Sequence, residues 1–477
     1  MSTSSDTPVV ISLVGDCLIQ HPCSSLRDPG LHEVAELLRG SDVALANLEG
    51  NLQNGEDWPA FVAGQGGFAS PYLSIPPSIV EELKWFGLDL VFTANNHSSD
   101  FGEGGILTTL KHLDAAGLAH AGTGANLTQA TAPGFAYHAR GRVAVVAAAD
   151  NGIRSTGEIP FPVPRGCLAA DQGPWFRDRP GVNMLRFEPI FHVDAETMGA
   201  LRRASERIGW ERDKELRRAG GGLMNPSVGA SILDRREDTD SLFHFNGTKF
   251  RLGEDFRFET IPCEDDLQRN YKWIREARRN ADIVIVSLHQ QGAAWAPGAP
   301  ADYVRTFAHG AIDAGADIFT AHGDGKFGGI EIYNGKAIIY GMPGFISHLF
   351  QRTKTPLEQV RRLGLTDDAT PADVVDLTIR SFKVSAAPDA HAANNPSGGS
   401  ALYSASFGKD GLEKITVYPL DRVRRRRGET VPRLAEPGSP VHQAVIELLK
   451  ERSARLGTSV QERDGVAVIE VAPRLSR

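Results

Sequence analysis

The sequence predicts an α/β fold with a largely buried sheet and one long insertion, and three observations carry that expectation. Short β-branched runs alternate with longer helical patterns through the first third of the chain. The alternation stops near Arg154 and resumes at Asp282. On both sides of the break, the apolar runs end in carboxylate, amide or imidazole residues.

The runs of the first part are "VVISLVG" from Val9, "DVALAN" from Asp42, "LDLVFTA" from Leu88 and "RVAVVAAA" from Arg142. Helices fit between them. "SIVEELKWFG" opens on Ser78 with Glu81 spaced for a capping box and closes on Gly87, and "GILTTLKHLDAAG" closes on Gly117. Residues 154–280 are rich in Pro, Gly, Trp and charge, with one long helix expected from the N-cap Asp194 to the glycines after Ala219. So much irregular chain inside a compact body points to an inserted lid or substrate region. Buried-strand runs return with "DIVIVSLH", "ADIFTAHG" and "KAIIYGMPGF". Residues 1–153 and 281–385 are therefore two halves of one domain. Residues 386–400 form a polar, flexible linker, and 401–477 complete the fold with "LEKITVYPL", a helix entered through Ser439 and Pro440, and "GVAVIEVA".

Composition excludes several classes. A net charge of -8 over 477 residues gives no electrostatic footprint for nucleic acid. No apolar stretch approaches a membrane span, and the N-terminus has no basic segment before an apolar one, so a soluble cytoplasmic protein is the default expectation. Cys17, Cys23, Cys167 and Cys263 have neither disulfide-scaffold density nor zinc-ribbon spacing and read as reduced thiols.

The strand ends carry the chemistry. "ISLVGD" ends on Asp16, "VALANLE" on Asn47 and Glu49, "LVFTANNH" on Asn96 and His97 with Asp100 beyond, "IVIVSLH" on His289, and "DIFTAHGD" on His322 and Asp324. Each alone has an ordinary reading as a cap, a turn residue or a hydrogen-bonded interior histidine. Together they differ, because an open α/β sheet gathers the carboxyl ends of its strands around one crevice. Carboxylate, amide and imidazole are also the mixture that a hard or borderline divalent ion accepts. Zn, Mn or Fe, without thiolate, is the expected cofactor.

The segments "GDCLI", "ANLEGNL", "TANNHSSDFGEGGILTTLKHLDAAGLAHAGTG", "IVIVSLHQQG" and "AGADIFTAHGDGKFGGIEIYNGKAIIYGMPGF" resemble, in order, the motifs of the CapA family of poly-γ-glutamate capsule biosynthesis proteins. The resemblance implies a metallophosphatase-like four-layer α/β/β/α sandwich, related to the calcineurin-like metallophosphoesterases, with a large inserted subdomain. It implies one or two metal ions ligated by Asp16, Glu49, Asn96, His289 and His322, with His97 and Asp100 beside the reacting group. Where family members read G-H-H-P-H, this chain reads "AHGDG", keeping His322 with Gly323 and Gly325 at the other two histidine positions. Asp324, two residues past His322 on the same side of an extended segment, is an alternative oxygen ligand, and Asn47 a further metal or substrate contact.

The expected activity is that of a metal-dependent hydrolase acting on an amide, γ-glutamyl-type or phosphoester bond of a small or peptide-like anionic substrate, with His97 as general acid oriented by Asp100. Two readings compete with it: a non-hydrolytic accessory of polyglutamate or glycan synthesis, and a binding protein without metal. Arg179 and Arg186 bracket the Pro180-Gly181 turn and are candidates to clamp the anion, a surface salt bridge being the alternative. "RVRRRRG" (Arg422–Gly428) lacks interleaved aromatics and reads as a solvated turn. "AGGGLMNPS" follows a helix and reads as helix termination. Oligomeric state is not legible.

Overall fold

The computed structural model describes residues 7–60, 72–150, 168–173, 177–219, 238–245, 248–292, 294, 298–348, 355–385, 398–425 and 429–472. Cys167, the segment 220–228 and most of the 386–400 linker lie outside the described residues. The fold is mixed α/β, organised by two large sheets. The first runs, in spatial order, through Gln461–Arg463, Val466–Glu470, Gly411–Arg424, Thr430–Leu434, Ile346–Ser347, Val9–Leu18, Val43–Leu48, Leu90–Phe92 and Ala119–Ala121. Ser400–Gly408 pairs with both Val9–Leu18 and Gly411–Arg424. The second runs through Met184–Leu185, Gly141–Asp150, Ile283–His289, Ile318–His322, Lys336–Met342 and Ile330–Tyr333, with Gly134–His138 beside Gly141–Asp150.

The apolar runs explain why the sheets are buried on both faces. Along Val9–Leu18, Ile11 and Leu13 point into a core shared with Val143, Val145, Ile285 and Ile339 of the second sheet, while Val14 and Cys17 join a cluster on the outer face. That outer cluster takes Leu31, Val34 and Leu38 from the helix Pro29–Arg39 and Ile79 and Leu83 from Ile79–Trp85. The outer face of the second sheet is covered in the same way by Glu264–Asn280 and Asp302–Asp313, through Ile274, Ala277, Val304 and Phe307. Each fully buried aliphatic or aromatic side chain contributes on the order of 1.5–3 kcal/mol, so three such clusters dominate the stability of the body.

Several local expectations change. Ser78 itself has helical backbone angles and its side chain caps nothing, because the amides of Ile79 and Val80 are already taken by the carbonyls of Pro76 and Pro77. The capping box expected with Glu81 is therefore absent, and Glu81 pairs with Lys84. Asp194 does cap, accepting from the amide of Thr197, but the helix it starts ends at Arg207 and a second begins at Trp210. Gly209, at φ 77°, makes the break.

The region between 154 and 280 also holds more regular structure than its composition suggested. Leu242–Phe245, Thr248–Leu252, Phe187–Val193 and Arg257–Pro262 form a four-stranded sheet with its own small cluster of Val193, Met198 and Phe243. Met184–Leu185 and Glu264–Asn280 instead pack with the second large sheet. Phe187 stacks on Tyr303 at 4.0 Å between ring centroids and joins the two parts. Among the described residues no helix is long and apolar enough to cross a membrane.

Candidate metal centre

The first sheet delivers Asp16 through an irregularity. Val14 pairs with Ala46 and Asp16 with Asn47, so Gly15 is an extra residue in the strand. Such a bulge re-aims the side chain that follows it. Gly15 must be glycine, since a Cβ there would lie 2.2 Å from the carbonyl oxygen of Pro343. A second register shift precedes His322, between the Thr320 and His322 pairings with Lys336–Met342. Ile283–His289 and Ile318–His322 are parallel neighbours in which His289 pairs with His322, so the two imidazoles stand side by side.

Asp16 thus comes from one sheet and both histidines from the other, and their donor atoms lie within 4.8 Å of one another, all buried. His322 Nδ1 is 2.9 Å from Asp16 Oδ1 and 3.2 Å from His289 Nδ1, while His289 Nδ1 is 3.8 Å from the same carboxylate oxygen. His322 Nε2 is bonded to the Ser287 hydroxyl at 2.8 Å, and the ring stacks on Phe92. A single proton on His322 Nδ1 can satisfy Asp16 and leaves His289 Nδ1 facing it with a lone pair; one cation satisfies all three atoms. Burial drives the pKa of His289 down to about 3, against the attraction of Asp16 and with help from His322 and His97. Burial opposes ionisation of Asp16, but the hydrogen bond and charge of His322, the charge of His289 and the Asn47 amide together hold its pKa below the ordinary value. A neutral His289 beside an ionised Asp16 suits the binding of a divalent ion.

The other expected residues are distributed around this triad. Asn47 acts as a clamp on the carboxylate, its Nδ2 donating to Asp16 Oδ1 at 2.8 Å while its Oδ1 accepts from Asn95 at 3.1 Å. Asn95 Oδ1 in turn accepts from the amide of His97. His97 Nδ1 is 2.8 Å from Asp100 Oδ2, and Asp100 also accepts from the amide of Leu73. Glu49 stands on the His97 side, 3.9 Å from Nε2, and burial followed by the charges of Asp16 and Asp100 raises its pKa well above the ordinary value. Asn96 is buried and its Oδ1 has no hydrogen-bond partner among the described residues, an arrangement that costs about 1–3 kcal/mol unless a ligand or ion supplies one.

The "AHGDG" loop has a physical account. Gly323 lies at φ 107°, and a Cβ on it would approach His289 Nε2 to 2.7 Å and the Gln290 carbonyl oxygen to 2.8 Å. With that backbone, no side chain fits at the position. Asp324 is turned back on its own loop, accepting from the Lys326 amide at 3.1 Å with the Lys326 ammonium 3.4 Å away. Burial raises the Asp324 pKa, partly offset by Lys326. The expected clamp of Arg179 and Arg186 is not assembled either. Arg186 holds Asp266 through Nε and Nη2 at 2.7 and 2.8 Å, Arg179 donates to the Leu168 carbonyl, and neither bonds to a strand-end residue.

Asp150 was not expected from sequence. It ends Gly141–Asp150 as Asp16 nearly ends its own strand, and it accepts from the amides of Gln291 and Gly292 and from the Tyr303 hydroxyl. It thereby fixes the loop that leaves His289. The signal was the carboxylate after "AAA", at the same end of its strand as the others.

Residues 10–349 match the family described as bacterial capsule synthesis protein PGA_cap. The chain belongs to that family. It is 26% identical over 477 aligned residues, 96% of this chain and 92% of the relative, to a Sinorhizobium fredii protein named only as uncharacterized. A shorter stretch of 76 residues, 15% of this chain and 19% of the relative, is 38% identical to the PGA biosynthesis protein CapA of Bacillus subtilis. Over 67 residues, 13% of this chain and 16% of the relative, it is 46% identical to a Mycobacterium tuberculosis protein named "Probable polyglutamine synthesis accessory protein".

Proposed function

We propose that this PGA_cap member is a metal-dependent hydrolase of metallophosphatase type, cleaving an amide, γ-glutamyl-type or phosphoester bond in an anionic substrate. The observation that carries the reading is the convergence of Asp16, His289 and His322 from two facing sheets, with a separate His97–Asp100 pair tied to them through Asn47 and Asn95. Asp16, His289 and His322 would hold a divalent ion, with the orphaned Asn96 oxygen as a fourth donor, and the ion supplies Lewis acidity and a water of lowered pKa. The residues do the rest. Asp100 accepts from Nδ1 of His97 and fixes the ring, so that in its imidazolium form Nε2 carries the proton for the leaving group. Glu49, whose pKa is raised by burial and by the charges of Asp16 and Asp100, stands on the same side, 3.9 Å from Nε2.

The test uses the full chain purified without chelator. The expected result is near-stoichiometric Zn, Mn or Fe and turnover of p-nitrophenyl phosphate or of a γ-glutamyl anilide that disappears in Asp16→Ala. Metal without turnover of either class overturns the hydrolase reading. A second reading, a non-hydrolytic accessory of polyglutamate synthesis, is favoured by Gly323, which excludes a side chain from a position where family members carry histidine. The names of the B. subtilis and M. tuberculosis relatives point the same way. Tight binding of polyglutamate by the metal-loaded protein, with no cleavage, supports it.

A further inference from the structure

The described residues of the basic run, Arg422–Arg425, do not behave as one solvated turn. Arg424 is exposed, and Arg425 joins Arg433 on the buried Asp28, at 3.2 and 2.6 Å. Arg422 goes elsewhere. Its strand, Gly411–Arg424, is antiparallel to Ser400–Gly408, which is antiparallel to Val9–Leu18. Gly411–Arg424 therefore runs in the same direction as the Asp16 strand, and its last residues emerge at the same end of the sheet.

There the Arg422 side chain is partly buried, and its Nε donates to the Gly398 carbonyl at 2.7 Å. The fork is placed beside Gly344: a Cβ built on that glycine would be 3.6 Å from Nη1 of Arg422 and 4.0 Å from Cβ of Asp16. Guanidinium and Asp16 thus flank the same residue. Arg186, Arg278, Arg425 and Arg433 each hold a carboxylate. Among the described residues, Arg422 has no ion pair, and no acceptor takes a hydrogen bond from Nη1 or Nη2. Its enclosure, together with Arg424, disfavours the charged form, and the charge of Asp16 works against that. With Nε held by the Gly398 carbonyl, the two terminal nitrogens are left to meet an oxyanion with the planar fork, a charge-assisted pairing stronger than a neutral one.

We propose that Arg422 is the anion-binding residue of the crevice, its two terminal nitrogens taking a carboxylate or phosphoryl group of the ligand beside Asp16. Calling that ligand the substrate rests on the hydrolase reading; the binding itself does not. Arg422 takes the role that sequence spacing suggested for Arg179 and Arg186.

The experiment is calorimetric titration of metal-loaded, full-length protein at low salt with inorganic phosphate and, separately, with L-γ-glutamyl-L-glutamate. The wild type is expected to bind at least one probe, and Arg422→Gln to lose roughly ten- to a hundredfold in affinity for it with metal content unchanged, as expected for a charged hydrogen-bonding group. Arg422→Lys, which keeps charge without the fork, is expected to fall between. Arg422-dependent binding of phosphate alone identifies a phosphoryl ligand, and of the dipeptide alone a carboxylate. Equal affinity in the wild type and Arg422→Gln overturns the proposal, as does a wild type that binds neither probe. If Arg422→Gln does not fold, undiminished affinity in Arg422→Lys overturns it instead. Arg422-dependent binding in a protein that hydrolyses nothing removes the hydrolase reading and leaves this one standing.

Discussion

His322 and His97 make the same first contact, Nδ1 to a carboxylate, at 2.9 Å from Asp16 and 2.8 Å from Asp100. They differ in the second nitrogen. In His322 it is bonded to Ser287, the ring is stacked on Phe92, and the residue has no exposed surface. In His97 it faces Glu49, at 3.9 Å. The comparison teaches that an imidazole–carboxylate pair does not define a role. A ring set between a carboxylate and a serine hydroxyl, with no exposed surface, suits holding an ion, whereas a ring set between two carboxyl groups suits moving a proton.

The strongest way to break this contrast is to remove the holding end. Asp16→Ala and His289→Ala are expected to bring metal content to background with the fold retained, read by elemental analysis and circular dichroism; full metal content in either variant removes that residue from the ligand set. At the other end, His97→Ala is expected to keep the metal while kcat falls by roughly two to four powers of ten. A p-nitrophenolate leaving group, which needs no proton, should restore much of that loss. If metal leaves with activity, the two histidines are of one kind. Asp100→Asn should cost less, about ten- to a hundredfold in kcat, because the ring remains and only its orientation and charge support weaken.

Much of this site was legible because strand ends are legible. Fully apolar runs such as "VVISLVG" and "DIVIVSLH" announce buried strands, and whatever follows them must emerge at a sheet edge. What no run announces is the partner across the sheet. Asn47 looks like a ligand in sequence, and only its register opposite Asp16 makes it a donor to that carboxylate. Arg422 was hidden inside a basic run, since pairing through Ser400–Gly408 sets the direction of its strand. Ser78 failed as a cap for a local reason, the prior claim of Pro76 and Pro77 on the first amides.

Two smaller effects sharpen the picture. Gly323→Ala must place a Cβ against the His289 ring at positive φ, and is expected to destabilise by about 1–3 kcal/mol and weaken metal binding together, measured by denaturation and metal titration. His348 is another buried histidine, with Glu429 3.5 Å from an Nε2 that makes no hydrogen bond among the described residues. Burial, aided by His21, lowers its pKa to about 4. The unfolded chain therefore binds the extra proton first, so this group's stabilising contribution is complete above about pH 6.5 and is lost as pH falls towards 4. His348→Gln should flatten the fall of the denaturation midpoint over that interval without changing metal content; an unchanged slope removes the assignment.

The triad draws its carboxylate from one sheet and its imidazoles from the other. An ion held there is a rivet between the two large sheets, which pack on each other through apolar side chains. Folding and occupancy are then linked: free ion at a hundred times its Kd adds about 2.7 kcal/mol to the folded state. Thermal shift against a series of divalent ions consequently ranks their affinities directly, with no substrate needed.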